Sequence, residues 1–376
     1  MDLRKTQSDV IIIGAGPAGL ACAIASLRHG LQVDLIDALE PPIDKSCGEG
    51  LMPNSVQALA AIGIDIEKDL SRFESYPLHG IRFLGEHATS EAAFPNGEGR
   101  GIRRTILHQI LLDRAASLGV RFHWENSVQG ITRTVEGTLV HTNRQTLRAR
   151  FVVGADGPQS RVATWAGFTK ANVRSRRIGL RQHYNITPWT SFVEIHWGNH
   201  GQAYVTPISS SQVCVAFIAN QKIRQPQNAL HQFPALERHL ASSSCTAPRG
   251  AITLGRALNR VTCGNIALIG DASGSVDALT GEGIALGFRQ AAALAIALKT
   301  NDLASYDQAH RRIMRLPTIM STSLLLMDKS PFLRDCALSL FQRAPGLFER
   351  LLRIHVGHGP SRLFESVATL EPDYPC

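Results

Sequence analysis

Three glycine-bearing segments hold the residues best suited to chemistry: Gly14-Ala15-Gly16-Pro17-Ala18-Gly19, Gly154-Ala155-Asp156-Gly157, and Gly270-Asp271 followed by Gly281-Glu282-Gly283. In the first, Gly14 permits a sharp turn, Gly16 lets backbone approach a pyrophosphate, and Gly19 lets a helix pack closely on the preceding strand. The unpaired N–H groups and positive dipole end of that helix hold two negative charges without a cationic side chain. Asp37 follows at the spacing at which a carboxylate accepts hydrogen bonds from a ribose diol. A nicotinamide dehydrogenase needs only this first segment, so the other two ask for a larger cofactor. A fourth run, Lys45-Ser46-Cys47-Gly48-Glu49-Gly50, adds a thiol on a loop too long to be a mere connector.

The elements that must position these residues are legible around them. Val10 to Ile13 is a continuous apolar run and reads as a strand buried on both faces. The alanine-rich helix that follows ends at Gly30, and Leu31 to Ile36 reads as the second strand. A short helix is expected over Pro53 to Ile62, strand character from Tyr76 to Phe94, and a helix opening at Arg103-Arg104 and stopping at Gly119. In that helix Leu107, Ile110, Leu111 and Ala115 recur at helical spacing and belong to the core. Val120 to Trp124 reads as a third parallel strand, Ile131 to Val140 as a hairpin turning at Glu136-Gly137, and Phe151 to Gly154 as a return to the sheet.

From Ser175 the pattern changes to four strand-like runs, 177–185, 192–197, 202–208 and 212–218, the signature of a second, antiparallel domain. Its task is to cover the reactive end of the cofactor, because ligand sites favour domain interfaces. The chain rejoins the first domain near Ile266, and residues 321–376 form a helical tail that interleaves apolar residues with Lys329, Arg334, Arg343, Arg350 and Arg353. Such a tail packs as an amphipathic cap, or forms a peripheral surface that meets a membrane.

The chain has 376 residues, 44% of them hydrophobic, enough for a large core in two connected domains. No window suits a transmembrane span or a signal peptide; the longest apolar stretch, Ile284 to Leu298, is broken by Arg289 and Gln290. Seven scattered cysteines without a CxxC spacing point to reduced thiols and a cytoplasmic setting. His196 and His200 have ligand-like spacing but sit on a strand running into a turn, so they read as surface histidines and no metal site is expected. The net charge of +8 suits an anionic cofactor, a phosphorylated substrate or an acidic membrane surface, whereas the dispersed arginines offer no nucleic-acid motif.

On these motifs the chain, over about residues 8–310, resembles the FAD-dependent oxidoreductases of the para-hydroxybenzoate hydroxylase superfamily, in the branch of geranylgeranyl reductases and related bacterial monooxygenases. The resemblance implies an α/β fold: a discontinuous FAD-binding Rossmann-like domain (1–75, 101–174, 255–320) with an inserted antiparallel β-sheet substrate domain (76–100, 175–254) and the helical tail. It implies FAD held by Gly14, Gly16, Pro17, Ala18, Gly19, Asp37, Arg104, Val128, Asp156, Gly157, Gly270, Asp271, Gly281, Gly283 and Ile284. Asp271 is expected on the ribityl chain, and the helix opening at Gly281 to Ile284 near the flavin pyrimidine, where its positive end stabilises the reduced state. With only one dinucleotide fingerprint, NAD(P)H would visit transiently. Arg174, Arg176, Arg177 and Arg181 are candidates to meet its phosphates, although such clusters are more often solvated faces.

Cys47-Gly48-Glu49-Gly50 resembles the cysteine loop of geranylgeranyl reductases, which approaches the flavin; the plainer alternative is a buried inert thiol. The reductase run Tyr-x-Trp-x-Phe-Pro is altered to Tyr204-Val205-Thr206-Pro207, the Trp-x-Trp-x-Ile-Pro run of flavin halogenases is absent, and Ala278 replaces the proline before Leu279-Thr280-Gly281-Glu282-Gly283. The favoured expectation is an NAD(P)H-dependent monooxygenase that hydroxylates a lipophilic aromatic or polyketide-like small molecule with molecular oxygen, through a C4a-hydroperoxyflavin. Cys47, His183 and Tyr204 are its catalytic candidates, the last two as groups that orient a phenol. The alternatives are an ene reductase acting on prenyl double bonds and a flavin-binding redox sensor without turnover.

Overall fold

The computed structural model describes residues 7–95, 97–168, 172–219 and 229–356. Its first layer is an eight-stranded sheet in the order Thr262–Cys263, Ile266–Leu268, Thr146–Gly154, Gln7–Ile13, Val33–Ile36, Arg121–His123, with the hairpin Val128–Thr134/Gly137–Thr142 attached to Thr146–Gly154. The strand Gln7–Ile13 lies parallel to both neighbours, with Val10 opposite Phe151 and Val33, and Ile13 opposite Gly154 and Ile36. That register brings the ends of the first and second glycine segments side by side. Val10, Ile11 and Ile12 are fully buried, and the helix that follows them, Pro17–Arg28, packs against Gly283–Thr300 and Arg104–Ser117.

The second layer is a nine-stranded sheet in the order Gly274–Ser275, Arg249–Ala257, Asn172–Asn185, Gln212–Ala219, Gly201–Ser209, Phe192–Trp197, Gly80–Leu84, Thr89–Ala93, with Ser244–Cys245 paired to Asn172–Asn185. The four expected runs appear within a residue or two of their bounds at three of them, while the first starts earlier, at Asn172, as a strand of 14 residues. The sheet is not wholly antiparallel: Phe192–Trp197 runs parallel to Gly80–Leu84. A small third sheet, Gly50–Leu51, Gly99–Gly101 and Tyr76–Leu78, ties the cysteine loop to the second layer.

The helix Leu303–Lys329 runs unbroken through position 321, with Pro317 inside it, and is followed by Pro331–Arg343 and Pro345–Val356. Leu338, Phe348, Leu352 and Val356 bury against Ile81, Phe83 and Trp197, and the Phe348 ring stacks on Phe83 with centroids 4.9 Å apart. Phe332 (74% exposed), Leu333 and Leu340 face outward. No helix among the described residues is long and apolar enough to cross a membrane. Six described cysteines are free; Cys376 lies outside the described residues. His196 is buried beside Glu194 at 3.2 Å rather than on the surface, whereas His200 is exposed.

Candidate functional site

The first glycine segment has the shape its composition demands. Gly14 has φ +108°, and a Cβ there would lie 2.4 Å from the Ala155 carbonyl oxygen; one on Gly19 would lie 1.9 Å from the Gly14 oxygen. Around Gly16, at φ −68°, a Cβ would meet nothing within 4 Å. Gly16 caps the helix Pro17–Arg28 without a side-chain hydrogen bond, so the opening N–H groups face open space shaped for an anion. The Ala15 N–H donates to Asp37 Oδ2 at 2.7 Å and the Leu39 N–H to Oδ1 at 2.9 Å, which fixes the carboxylate at the end of the second strand. Beneath the turn, buried His108 donates from Nε2 to the Ala15 carbonyl at 2.9 Å; burial lowers its pKa and keeps the ring neutral.

In the second segment, Asp156 turns toward protein: it accepts from Ser160 Oγ at 2.6 Å and from the N–H groups of Arg161 and Val162 at 2.7 and 3.1 Å. Its carboxylate caps the helix Arg161–Trp165, while Gly157, at φ +84°, leaves open space beside it. In the third, Gly270 N–H donates to Gln290 Oε1 at 2.7 Å, and Arg256 Nη2 donates to the carbonyls of Asp271 and Ala272 at 2.6 and 3.1 Å. The Asp271 side chain lines the cavity between the layers; desolvation raises its pKa, opposed by the charges of Arg256 and Lys45. Gly281, in the left-handed region at φ +67°, ends the short turn Ala278–Thr280, and the helix Gly283–Thr300 then starts without a side-chain cap. Gly281, Gly283 and Ile284 all line the cavity, so the helix's positive end points into it. These openings and uncapped helix starts fit FAD: the N–H groups after Gly16 would hold its pyrophosphate, and Gly281–Ile284 would face its ring system.

The cavity, about 350 Å³, lies between this third segment, the loop Lys45–Gly50 and the second sheet, whose Leu180, Val193, Ile195, Phe217 and Ile218 make an apolar wall. Cys47 lines it. Burial and the negative charge of Glu49 push its thiol up to about 11, against the lowering charges of Arg104 and Arg181. Its Sγ accepts the Glu49 N–H at 3.3 Å. Tyr204 also lines the cavity, but its hydroxyl donates to the Leu279 carbonyl at 2.8 Å and braces the Ala278–Thr280 turn; burial raises its pKa.

Three of the expected residues, His183, Arg104 and Val128, are buried in the protein. His183 does not reach the cavity lining: it is buried and its Nε2 lies 2.7 Å from Glu49 Oε2. Arg104 is buried under the cysteine loop, donating to the Ile43 carbonyl, while its own N–H donates to Glu49 Oε1 at 3.0 Å. Val128 opens the hairpin with its side chain in the first-layer core. The arginine cluster divides. Arg177 and Arg181 are buried, the first paired with Asp277 and Asp328, the second with Asp44 and Glu49, while Arg174 and Arg176 are exposed. A solvated face is therefore the wrong description of its inward half.

Sequence reasoning missed Glu49, the hub of the cysteine loop. Held at φ +60° between Gly48 and Gly50, it takes hydrogen bonds from Arg104 N, Arg181 Nη1 at 3.0 Å and the His183 ring. Its flanking glycines were the available signal. Glu49, His183 and Cys214 cluster within 4.8 Å, but Glu49 is already shared by a guanidinium, an imidazole and a backbone N–H, and burial keeps the Cys214 thiol protonated. The donor set suits a closed polar network and not a metal ion. Gln290 and His108 were also missed; each sits on a helix whose other positions read as core.

Residues 7–302 match the family described as FAD binding domain. A menaquinone reductase of Mycolicibacterium smegmatis is 27% identical over 329 residues, covering 81% of this chain and 80% of that one. Digeranylgeranylglycerophospholipid reductase 1 of Methanothermobacter thermautotrophicus is 27% identical over 322 residues, covering 77% and 76%. Among solved structures, a flavoprotein/dehydrogenase of Cytophaga hutchinsonii superposes with a TM-score of 0.82 at 17% identity, over 96% and 95% of the two chains. The p-nitrophenol 4-monooxygenase of Pseudomonas putida superposes at 0.80 and 16% identity, over 95% and 100%. The structural likenesses show a shared fold.

Proposed function

As the chain belongs to the FAD binding domain family, and is an FAD-dependent oxidoreductase, we propose that it reduces a carbon–carbon double bond of a lipophilic, prenyl-type small molecule with NAD(P)H as reductant. One observation carries the choice over hydroxylation: both residues suited to orienting a phenol are engaged elsewhere, His183 with Glu49 and Tyr204 with the Leu279 carbonyl, while Cys47 faces the cavity. The curated reductase relatives support the same reading.

FAD, which the turn at Gly14–Gly19 and the helix start at Gly281–Ile284 would hold, would supply the hydride chemistry between NAD(P)H and one alkene carbon. The protein's own residues do the rest. The apolar wall from Leu180 to Ile218 holds an apolar chain and excludes water. Cys47 keeps its proton at neutral pH and gives it to the second alkene carbon, the S–H bond breaking as the C–H bond forms. The resulting thiolate accepts the Glu49 N–H and lies in the field of Arg104 and Arg181 until solvent restores the proton. Outward-facing Phe332, Leu333 and Leu340 beside Arg343 support peripheral contact with a membrane that stores such substrates.

Anaerobic mixing of the reduced, FAD-loaded protein with a polyprenyl quinone or prenyl lipid tests the reading. Flavin reoxidation without oxygen, and a product two mass units heavier, is expected, and Cys47→Ser slows that step about 10²-fold or more. Reoxidation only with oxygen, with one oxygen atom in the product, refutes it and establishes the second reading, hydroxylation, which the altered Tyr204-Val205-Thr206-Pro207 run favours.

A further inference from the structure

A second cavity, about 620 Å³, lies apart from the one that faces Cys47. It is a groove between the helix Leu303–Lys329 and the ends of the strands Asn172–Asn185 and Arg249–Ala257. Five cations line it: Arg174, Arg256, Arg311, Arg315 and Lys329. Among the described residues Arg174, Arg315 and Lys329 have no ion-pair or hydrogen-bond partner, and Arg311 has only Asp307 at 3.8 Å, on its own helix. Arg256 bonds two carbonyls of the third glycine segment, yet its Nε is buried without a partner. The one carboxylate in the lining, Asp277, is already held by Arg177 at 3.2 Å and by the Leu279 N–H. Uncompensated positive charge in a concave site calls for an anion.

The groove shares a wall with the flavin cavity: Gly274, Ser275, Val276 and Asp277 line both. Its volume falls within the ~300–1,000 Å³ of small-molecule sites. Guanidiniums spread across it match several phosphates bidentately and stack on a purine, as a lone headgroup at one rim would not require. We propose that this groove binds the phosphate-bearing portion of NAD(P)H, with Arg174, Arg311 and Arg315 on its phosphates and Arg256 linking the site to the Asp271 loop. The proposal rests on NAD(P)H as the reductant. It explains how a chain with a single dinucleotide fingerprint, filled by FAD, admits a second dinucleotide next to the flavin.

The test is titration calorimetry of the FAD-loaded, full-length protein with NADP⁺ and with 2′,5′-ADP, alongside anaerobic flavin reduction by NADPH. Arg311→Ala/Arg315→Ala is expected to weaken both titrations about 100-fold, roughly tenfold per lost contact. Added salt should weaken the wild type more than the variant. Arg311 and Arg315 face solvent, so folding should survive; Arg174→Ala provides an independent variant on the opposite wall. Nucleotide affinity unchanged in both variants overturns the site, as does no binding by the wild type. So does a loss confined to co-sedimentation with anionic phospholipid vesicles, which would make the groove a lipid site. Failure of NADPH and NADH to reduce the wild-type flavin would remove the reductant reading, while the calorimetry still reads the groove directly.

Discussion

Gly16→Ala and Gly14→Ala separate what holds the fold from what holds the cofactor. At Gly16 an added methyl meets nothing within 4 Å and φ is −68°, which alanine adopts freely. The only folding cost is that of an alanine N-cap, about 1 kcal/mol or less, a few degrees in Tm at most. The same methyl occupies the space into which the opening N–H groups of the helix Pro17–Arg28 point, and displaces a pyrophosphate from them. Losing one or two charge-assisted hydrogen bonds, at about 1.5–3 kcal/mol each, weakens FAD binding by at least tenfold and up to about 10⁴-fold. Gly14→Ala does the reverse: φ of +108° and a Cβ 2.4 Å from the Ala155 oxygen force the first and second glycine segments apart, at about 3 kcal/mol or more. The assays are apoprotein melting and FAD titration by quenching of flavin fluorescence. Gly16→Ala that binds FAD within threefold of wild type would refute the placement of the pyrophosphate.

Glu49→Gln removes the carboxylate shared by Arg181, His183 and Arg104 N and leaves a buried guanidinium half-paired; urea unfolding should show a loss of about 3 kcal/mol. Glu49 raises the Cys47 pKa from two residues away, so the same variant should titrate Cys47 below its value of about 11, read as faster alkylation at pH 8–9; an unchanged rate would detach the thiol from this network. His310 is buried against Ser273 Oγ at 2.9 Å with its pKa lowered to about 4 by desolvation. The unfolded chain therefore takes a proton that the folded one refuses: stability is complete above pH 6.5 and falls by up to about 3 kcal/mol as pH drops toward 4. Wild type and His310→Gln showing the same pH slope between 4.5 and 6.5 would contradict this.

What the sequence revealed and what it hid follow from the range of the forces involved. The Gly14 to Gly19 turn, the apolar strand before it and the four runs of the second domain were legible because their signals are local: a glycine where φ is positive, a period of two on a strand, a stop at Gly119. Arg177 and Arg181 were misjudged because a strand shows only that alternate residues share a face. Nothing in that period says that Asp277 and Asp328 wait for the first, or Asp44 and Glu49 for the second, across 100 or more residues of chain in every case.

The same reasoning accounts for His183 and Arg104. Each is polar, on an element aimed at the cofactor, and each spends its hydrogen bonds on the loop that carries Cys47. That loop has little apolar surface to bury and contains Glu49 in a left-handed conformation costly for a side-chain-bearing residue, so hydrophobic packing alone cannot fix it. The guanidiniums of Arg181 and Arg104, the buried His183 and the Arg104 N–H over-determine its position instead. Cys47 is presented to the cavity by a network in which Arg104, Arg181 and His183 lie outside the lining. Polar residues near a flavin site therefore divide by whether their partner is in the cavity or in the wall, and Tyr204, which lines the cavity yet donates its hydroxyl hydrogen bond to the Leu279 carbonyl, belongs to the wall.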